Sequence, residues 1–157
     1  MDSSERVSVL KLLDESEAAR GPVNFDRLMS AGVSLVRSGR QDADLPVLEW
    51  LGAQPSSRRL DIAAAALNGL WHPSFRTAPV PDQNVEMLIR ARDAAAPEGN
   101  ADYSFVQALC QVLRSQAGPA LKDRVSAQLE AVLEQRQEPA LKRRMESVIH
   151  GARGDER

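Results

Sequence analysis

Few side chains in this sequence are able to do chemistry. Histidine occurs only at His72 and His150, far apart in the chain and each beside a helix end, so a histidine-rich metal site cannot form within one chain. Both histidines are expected to interact with helix-terminal carbonyls. Cys110 is the only cysteine, which excludes an intrachain disulfide and paired-thiolate metal sites, and its apolar neighbours predict a small buried hydrophobe. Glycine-rich phosphate loops, a nucleophile elbow and metalloprotease histidine pairs are absent from the sequence. Carboxylates gather as Asp14, Glu15 and Glu17, and again as Asp42 and Asp44. Acid and base catalysis would need them converging in a pocket, and nothing in their spacing signals that. The expected reading is a solvated face that could steer a basic partner. The sequence therefore points to a protein that is not an enzyme, with no catalytic residue, no cofactor and no metal.

Basic residues cluster at Arg58 and Arg59, Arg90 and Arg92, Lys122 and Arg124, and Lys142, Arg143 and Arg144. A net charge of -2 supplies no global field for phosphates, and aromatic residues do not interleave with the cations as a single-strand platform requires. Nucleic acid is accordingly an unfavoured partner. Its test in a structure is whether Arg59, Arg90, Arg92 and Arg143 gather into one stripe. Trp50, Trp71 and Phe75 are the scarce large aromatics around the middle of the chain. Their first role is packing, with Trp50 the one placed for partial exposure. As anchors for a protein partner they form, with Arg59, Arg76 and Arg143, the candidate partner-binding set.

These residues must be positioned by helices. The chain of 157 residues suits one domain, here 1–152 with a frayed tail at 153–157, and a hydrophobic fraction of 43% with only 4% aromatic implies a Leu, Val and Ala core. Apolar residues recur at three- and four-residue spacing, beginning with Val7, Leu10 and Leu13. Gly21 and Pro22 stop the first helix, Asn24 caps the second, Gly39 ends it, and Asp44 is the expected cap of the third. Pro55 opens a fourth helix with an Ala-rich face. "WHPSFRTAPVPDQN", with Pro73, Pro79 and Pro81, is the one long non-periodic stretch and a candidate functional loop. Pro97, Gly99 and Asn100 separate a fifth helix from a sixth. "PALKDR" at Pro119 and "PALKRR" at Pro139 start the seventh and eighth, and the N-terminal helix positions make these prolines structural. Lysine and arginine there oppose the helix dipole by up to about 1 kcal/mol, which the sequence leaves unexplained.

Eight helices paired in order give four antiparallel hairpins. Their second members start near Phe25, Ser57, Ala101 and Ala140, a spacing on the scale of helical repeats. "LPVLEWLGAQPSSRRLDIAAAALNGL", from Leu45 to Leu70, resembles a HEAT repeat: a first helix, a Pro-bearing turn, then a helix with an early Arg and an Ala-rich face. The other pairs match by period. That resemblance implies an all-α, right-handed α-solenoid that presents a curved surface to another macromolecule, and it transfers no catalytic residue. An irregular helical bundle is the alternative. The expected function is protein binding through the concave face, in the narrower form a bacterial immunity or antitoxin protein that occludes a toxin. A small adaptor or a nucleic-acid-binding HEAT-like protein are the alternatives. No apolar run approaches a membrane span, and a cytoplasmic location is expected.

Overall fold

Among residues 3–154, which the computed structural model describes, there are eight α-helices and no strand. They are α1 (Ser3–Ala18), α2 (Phe25–Arg37), α3 (Asp44–Ala53), α4 (Ser57–Leu70), α5 (Asp82–Ala95), α6 (Gly99–Arg114), α7 (Pro119–Gln135) and α8 (Pro139–Gly154), with a short 3-10 turn at Gln41–Ala43. The all-α expectation holds, and the signals expected at Asn24 and Gly39 act as read, whereas Pro55 lies ahead of α4, outside its N-cap Ser56. Asn24 Oδ1 accepts the Arg27 amide at 3.1 Å, and Ser56 Oγ accepts the Arg59 amide at 3.1 Å, so each satisfies a donor left over at a helix start. Gly39 follows α2 with φ of 84°, a left-handed conformation that glycine adopts without a Cβ clash.

Asp44 departs from its expected role. It is the first residue of α3, is 2% exposed, and accepts from Trp71 Nε1 at 3.0 Å and Asn84 Nδ2 at 3.2 Å. Those distant donors occupy the carboxylate that would otherwise cap the helix. The C-terminus differs too: α8 continues through Arg153 and Gly154, with Ala152 fully buried and Arg153 donating to Glu130 at 2.9 Å. The helix thus extends past 152, because a buried contact and an ion pair hold its last turn. The rest of the expected frayed tail, 155–157, lies outside the described residues.

The helices form two layers. The most extensive contacts run α2 on α4, α4 on α6 and α6 on α8, while α1, α3 and α5 follow one another in the second layer and α7 packs on α6 and α8. Alternate helices along the chain are therefore the main neighbours. Several of the side-chain bonds between helices span 40 to 43 positions. Arg59 meets Glu17 across 42 positions, Asn84 meets Asp44 across 40, Ser104 meets Asp61 across 43, and Arg92 meets Gln135 across 43. One hydrophobic core runs through both layers, with Trp71, Phe105, Leu60 and Leu67 among its fully buried members.

The α2–α4 crossing is the tightest point. Gly32 of α2 and Gly69 of α4 face each other, and a Cβ added at Gly69 would collide with the Met29 carbonyl oxygen and lie 2.7 Å from the Val33 amide nitrogen. The obstacle is helix backbone, which cannot rotate away as a side chain can. Gly69→Ala is expected to destabilise the fold by about 2–3 kcal/mol, the upper part of the range for overpacking. At Gly52 in α3 an added Cβ would meet no atom within 4 Å, so Gly52→Ala should instead stabilise by up to about 1 kcal/mol through helix propensity. Chemical denaturation midpoints of the two variants should move in opposite directions.

Candidate functional site

The N-terminal turns of the four even-numbered helices come together on one side of the molecule. Between them lies a groove of about 730 Å³ lined by Phe25 of α2, Ser57, Arg58 and Asp61 of α4, Tyr103, Ser104 and Gln107 of α6, and Arg144 of α8. Pro22 and Val23 border it at the turn before α2, and Glu98 and Asn100 at the start of α6. The surface is made near the helix starts, where Ser57, Arg58, Asp61 and Gln107 stay partly exposed and the aromatics Phe25 and Tyr103 are half-buried.

The charges in the groove are unequally engaged. Arg58 donates to the carbonyls of Ser16, Glu17, Ala19 and Gly21 at 2.7–3.1 Å, closing the C-terminal end of α1. Arg144 stacks on Tyr103, with its guanidinium carbon 4.3 Å from the ring centroid. Asp61 receives a short hydrogen bond from Ser104 Oγ, at 2.6 Å, and has no ion-pair partner among the described residues. Burial pushes its carboxyl up from the ordinary value near 3.8, against the Ser104 hydrogen bond and the Arg58 charge, which both act to lower it. Glu98 stands exposed at the groove edge, its backbone amide donating to Ser57 Oγ at 2.9 Å.

The candidates named from the sequence are dispersed around the fold. Arg59 turns toward the odd-numbered layer. Its guanidinium pairs with Glu17 at 2.7 and 3.0 Å, donates to the Trp50 carbonyl and stacks on the Trp50 ring at 4.1 Å. Trp50 is itself buried, 7% exposed, and its Nε1 donates to Asp14 at 2.9 Å, so the expected partial exposure gives way to a packed side chain with a satisfied indole. Trp71 is fully buried on Asp44. Arg76 is an interior strut: it donates to the carbonyls of Gln41 and Ala78 at 2.8 Å and lies 3.6 Å from Asp44. Burial lowers its pKa and the Asp44 carboxylate pulls it back up. Burial thus removes Trp50, Trp71 and Arg76 from the surface that a partner could touch. Phe75 is exposed, with His72 at 5.1 Å and the Arg37 guanidinium at 5.8 Å, and Arg143 is exposed on α8.

Two of the cations named for a nucleic-acid stripe are taken up within the fold, while Arg90 is exposed. Arg92 is 5% exposed and grips the fully buried Asp102 through two bonds of 2.9 Å, while Arg59 is neutralised by Glu17. The carboxylates expected on a solvated face are partly engaged in the same way, Asp14 by Trp50 and Glu17 by Arg59. Asp61, Tyr103 and Ser104 carry no mark of a site in the sequence beyond one signal for the first: Asp61 is the only carboxylate within α4, set in an otherwise Ala- and Leu-rich helix.

The loop 72–81 closes the opposite end of the even helices. Gln41 holds it, accepting the amides of Thr77 and Ala78 at 3.0 and 2.8 Å and donating to Thr77 Oγ1 at 2.9 Å. A second cavity of about 550 Å³ lies beneath it, between Trp71, Pro79, Arg114 and Ser115. Cys110 is enclosed in the core and its thiol is pushed up to about 12 by burial, so it is protonated at neutral pH. His72 is held below its ordinary value by burial and by the Arg114 charge. No cluster of three or more His, Cys, Asp or Glu able to hold a metal occurs among the described residues, and no described helix is long and apolar enough to cross a membrane.

The raised Asp61 pKa has a stability consequence. A carboxyl that holds its proton more tightly when folded contributes stability that is complete below the unfolded value and is lost as pH rises through the folded one. Asp61→Asn keeps an acceptor for Ser104 and removes the cost of burying the charge. Its unfolding midpoint at pH 7 should exceed that of the wild type, with the difference closing as pH falls to about 3.8; a difference unchanged by pH would contradict the role of burial. No family model, curated protein or solved structure matches this chain, so the functional reading rests on the geometry of the chain itself.

Proposed function

We propose that the protein is a HEAT-like α-solenoid that binds another protein in the groove across its even-numbered helices and does so without catalysis. The observation that carries the reading is that all four even helices contribute to one depression of about 730 Å³. A surface built from successive repeats is how helical-repeat proteins engage macromolecules. The two-layer contact order and the bonds across about forty positions support the same architecture. The mixed lining of half-buried aromatics, hydroxyls, two amides and charges resembles the composition of protein interfaces more than a reaction centre.

The narrower proposal is a cytoplasmic bacterial immunity or antitoxin protein that occludes a basic toxin. Its acidic complement is best sought at Asp61 and Glu98 in the groove, because Asp14, Glu17 and Asp44 are engaged within the fold. A small adaptor would use the same groove. Nucleic-acid binding is less favoured, since Arg92 is buried and Arg59 already neutralised.

A photo-crosslinking residue placed at Gln107 in the groove, in cells that natively produce the protein, should capture a discrete protein band. The same residue at Lys11 on α1 should not. Equal labelling at both positions, or none at Gln107, would count against the groove. For the narrower proposal, co-expression should neutralise a toxic product of the neighbouring gene, and a neighbour whose toxicity persists would overturn it.

A further inference from the structure

Resting on the protein-binding reading, we infer that the groove accepts an extended segment of its partner that carries a basic and an acidic side chain together, the basic head on Asp61 and the acidic head on Arg144. The four charges that line the groove, Arg58, Arg144, Asp61 and Glu98, sum to zero. An occupant of one sign is therefore attracted by half of the lining and repelled by the other half. An occupant with both signs in register is attracted at each end. The depression of about 730 Å³ draws on four successive helices, a width that several extended residues at about 3.3 Å each would span and a single free amino acid would not.

Which groups receive the two heads follows from what each charge already does. Arg58 gives its donors to four neutral carbonyls at the end of α1, and its charge acts on Asp61. Arg144 is exposed and lies face-on to Tyr103. Stacking occupies the face of the guanidinium, whereas its N–H donors point outward along the edge and bond to no described residue. Asp61 has the complementary opening: Ser104 Oγ donates to its Oδ1 at 2.6 Å, and Oδ2 receives no hydrogen bond among the described residues. Asp61 and Arg144 form no ion pair with each other, although they rest on successive residues of α6, Ser104 and Tyr103. One open acceptor and one open donor edge of opposite sign thus stand in the same depression, each suited to a charge-assisted hydrogen bond. Half-buried Phe25 borders it and offers an apolar wall for the stem of the basic side chain.

The test uses the full chain and a displayed library of random unstructured peptides. Selected peptides are expected to carry a lysine or arginine and an aspartate or glutamate at one fixed separation. Asp61→Asn should weaken them by about ten- to a hundredfold, the scale of a hydrogen bond to a charged group, and selection on this variant should keep the acidic preference alone. Arg144→Gln removes an exposed ion pair and should weaken them by about two- to fivefold. Arg144→Glu should replace the acidic preference with a second basic one. Enrichment in one sign only, or preferences that ignore these substitutions, would overturn the paired-charge proposal while leaving a protein-binding groove in place. Displacement of the selected peptides by a free amino acid at equal concentration would overturn a peptide as the occupant. Gln107→Trp fills the groove without altering its charge and should abolish binding of every selected peptide, with circular dichroism confirming that each variant is folded. If those peptides bind Gln107→Trp as they bind the wild type, the groove reading falls as well.

Discussion

The backbone contact between Gly32 and Gly69 sets the geometry on which the even-numbered layer depends. At that crossing the helices meet backbone to backbone, and Ala66, whose carbonyl oxygen lies against Gly32, continues the close approach along α4. Small residues let two helix axes come nearer than the usual 8–10 Å of helix packing. α4 is consequently the most enclosed helix, with every residue from Ile62 to Leu70 buried, and it touches both α2 and α6. The groove above it follows from this. The helices are close enough for Phe25, Asp61 and Tyr103, from three different helices, to border one depression.

The antiparallel order of the helices accounts for the cations at helix starts. Arg58 opposes the dipole of its own helix, yet the C-terminal end of α1 lies beside it, and there the same charge satisfies four carbonyl oxygens. Arg124, near the start of α7, reaches Glu86 of α5 at 2.8 Å, and Arg144, near the start of α8, reaches Tyr103 of α6. These three cations near helix starts are thus ties to other helices. The buried Arg92–Asp102 pair does the same inside the molecule, where Gln135 and Arg136 complete the polar shell and fix how α5, α6 and the end of α7 meet. A buried pair of this kind specifies an arrangement more than it adds net stability, while loss of one partner would be costly.

Against that background Asp61 stands apart. The other carboxylates drawn into the fold, Asp14, Glu17, Asp44 and Asp102, each receive at least one N–H donor from tryptophan, asparagine or arginine. Asp61 receives a serine hydroxyl alone, in a groove open to solvent. Polar groups that work against local stability while facing an open cavity are where function is first sought.

Helix existence and boundaries were legible in the sequence because they depend on neighbours within a few positions. Asn24, Gly39, Pro119 and Pro139 act through hydrogen bonds and dihedral angles that span at most one helical turn. The forty-residue spacing was legible for the same reason, as the sum of those local lengths. Which residues face solvent was not. Trp50 and Arg76 carry no local mark of burial, and their fate was decided by Asp14 and Asp44, thirty or more positions away in the chain. The same holds for Asp61 and Ser104, which become neighbours only when α4 and α6 pack side by side. Local propensity and periodicity determined the helices. The pairing of distant polar groups, which depends on how the helices cross, was decided by the tertiary structure alone.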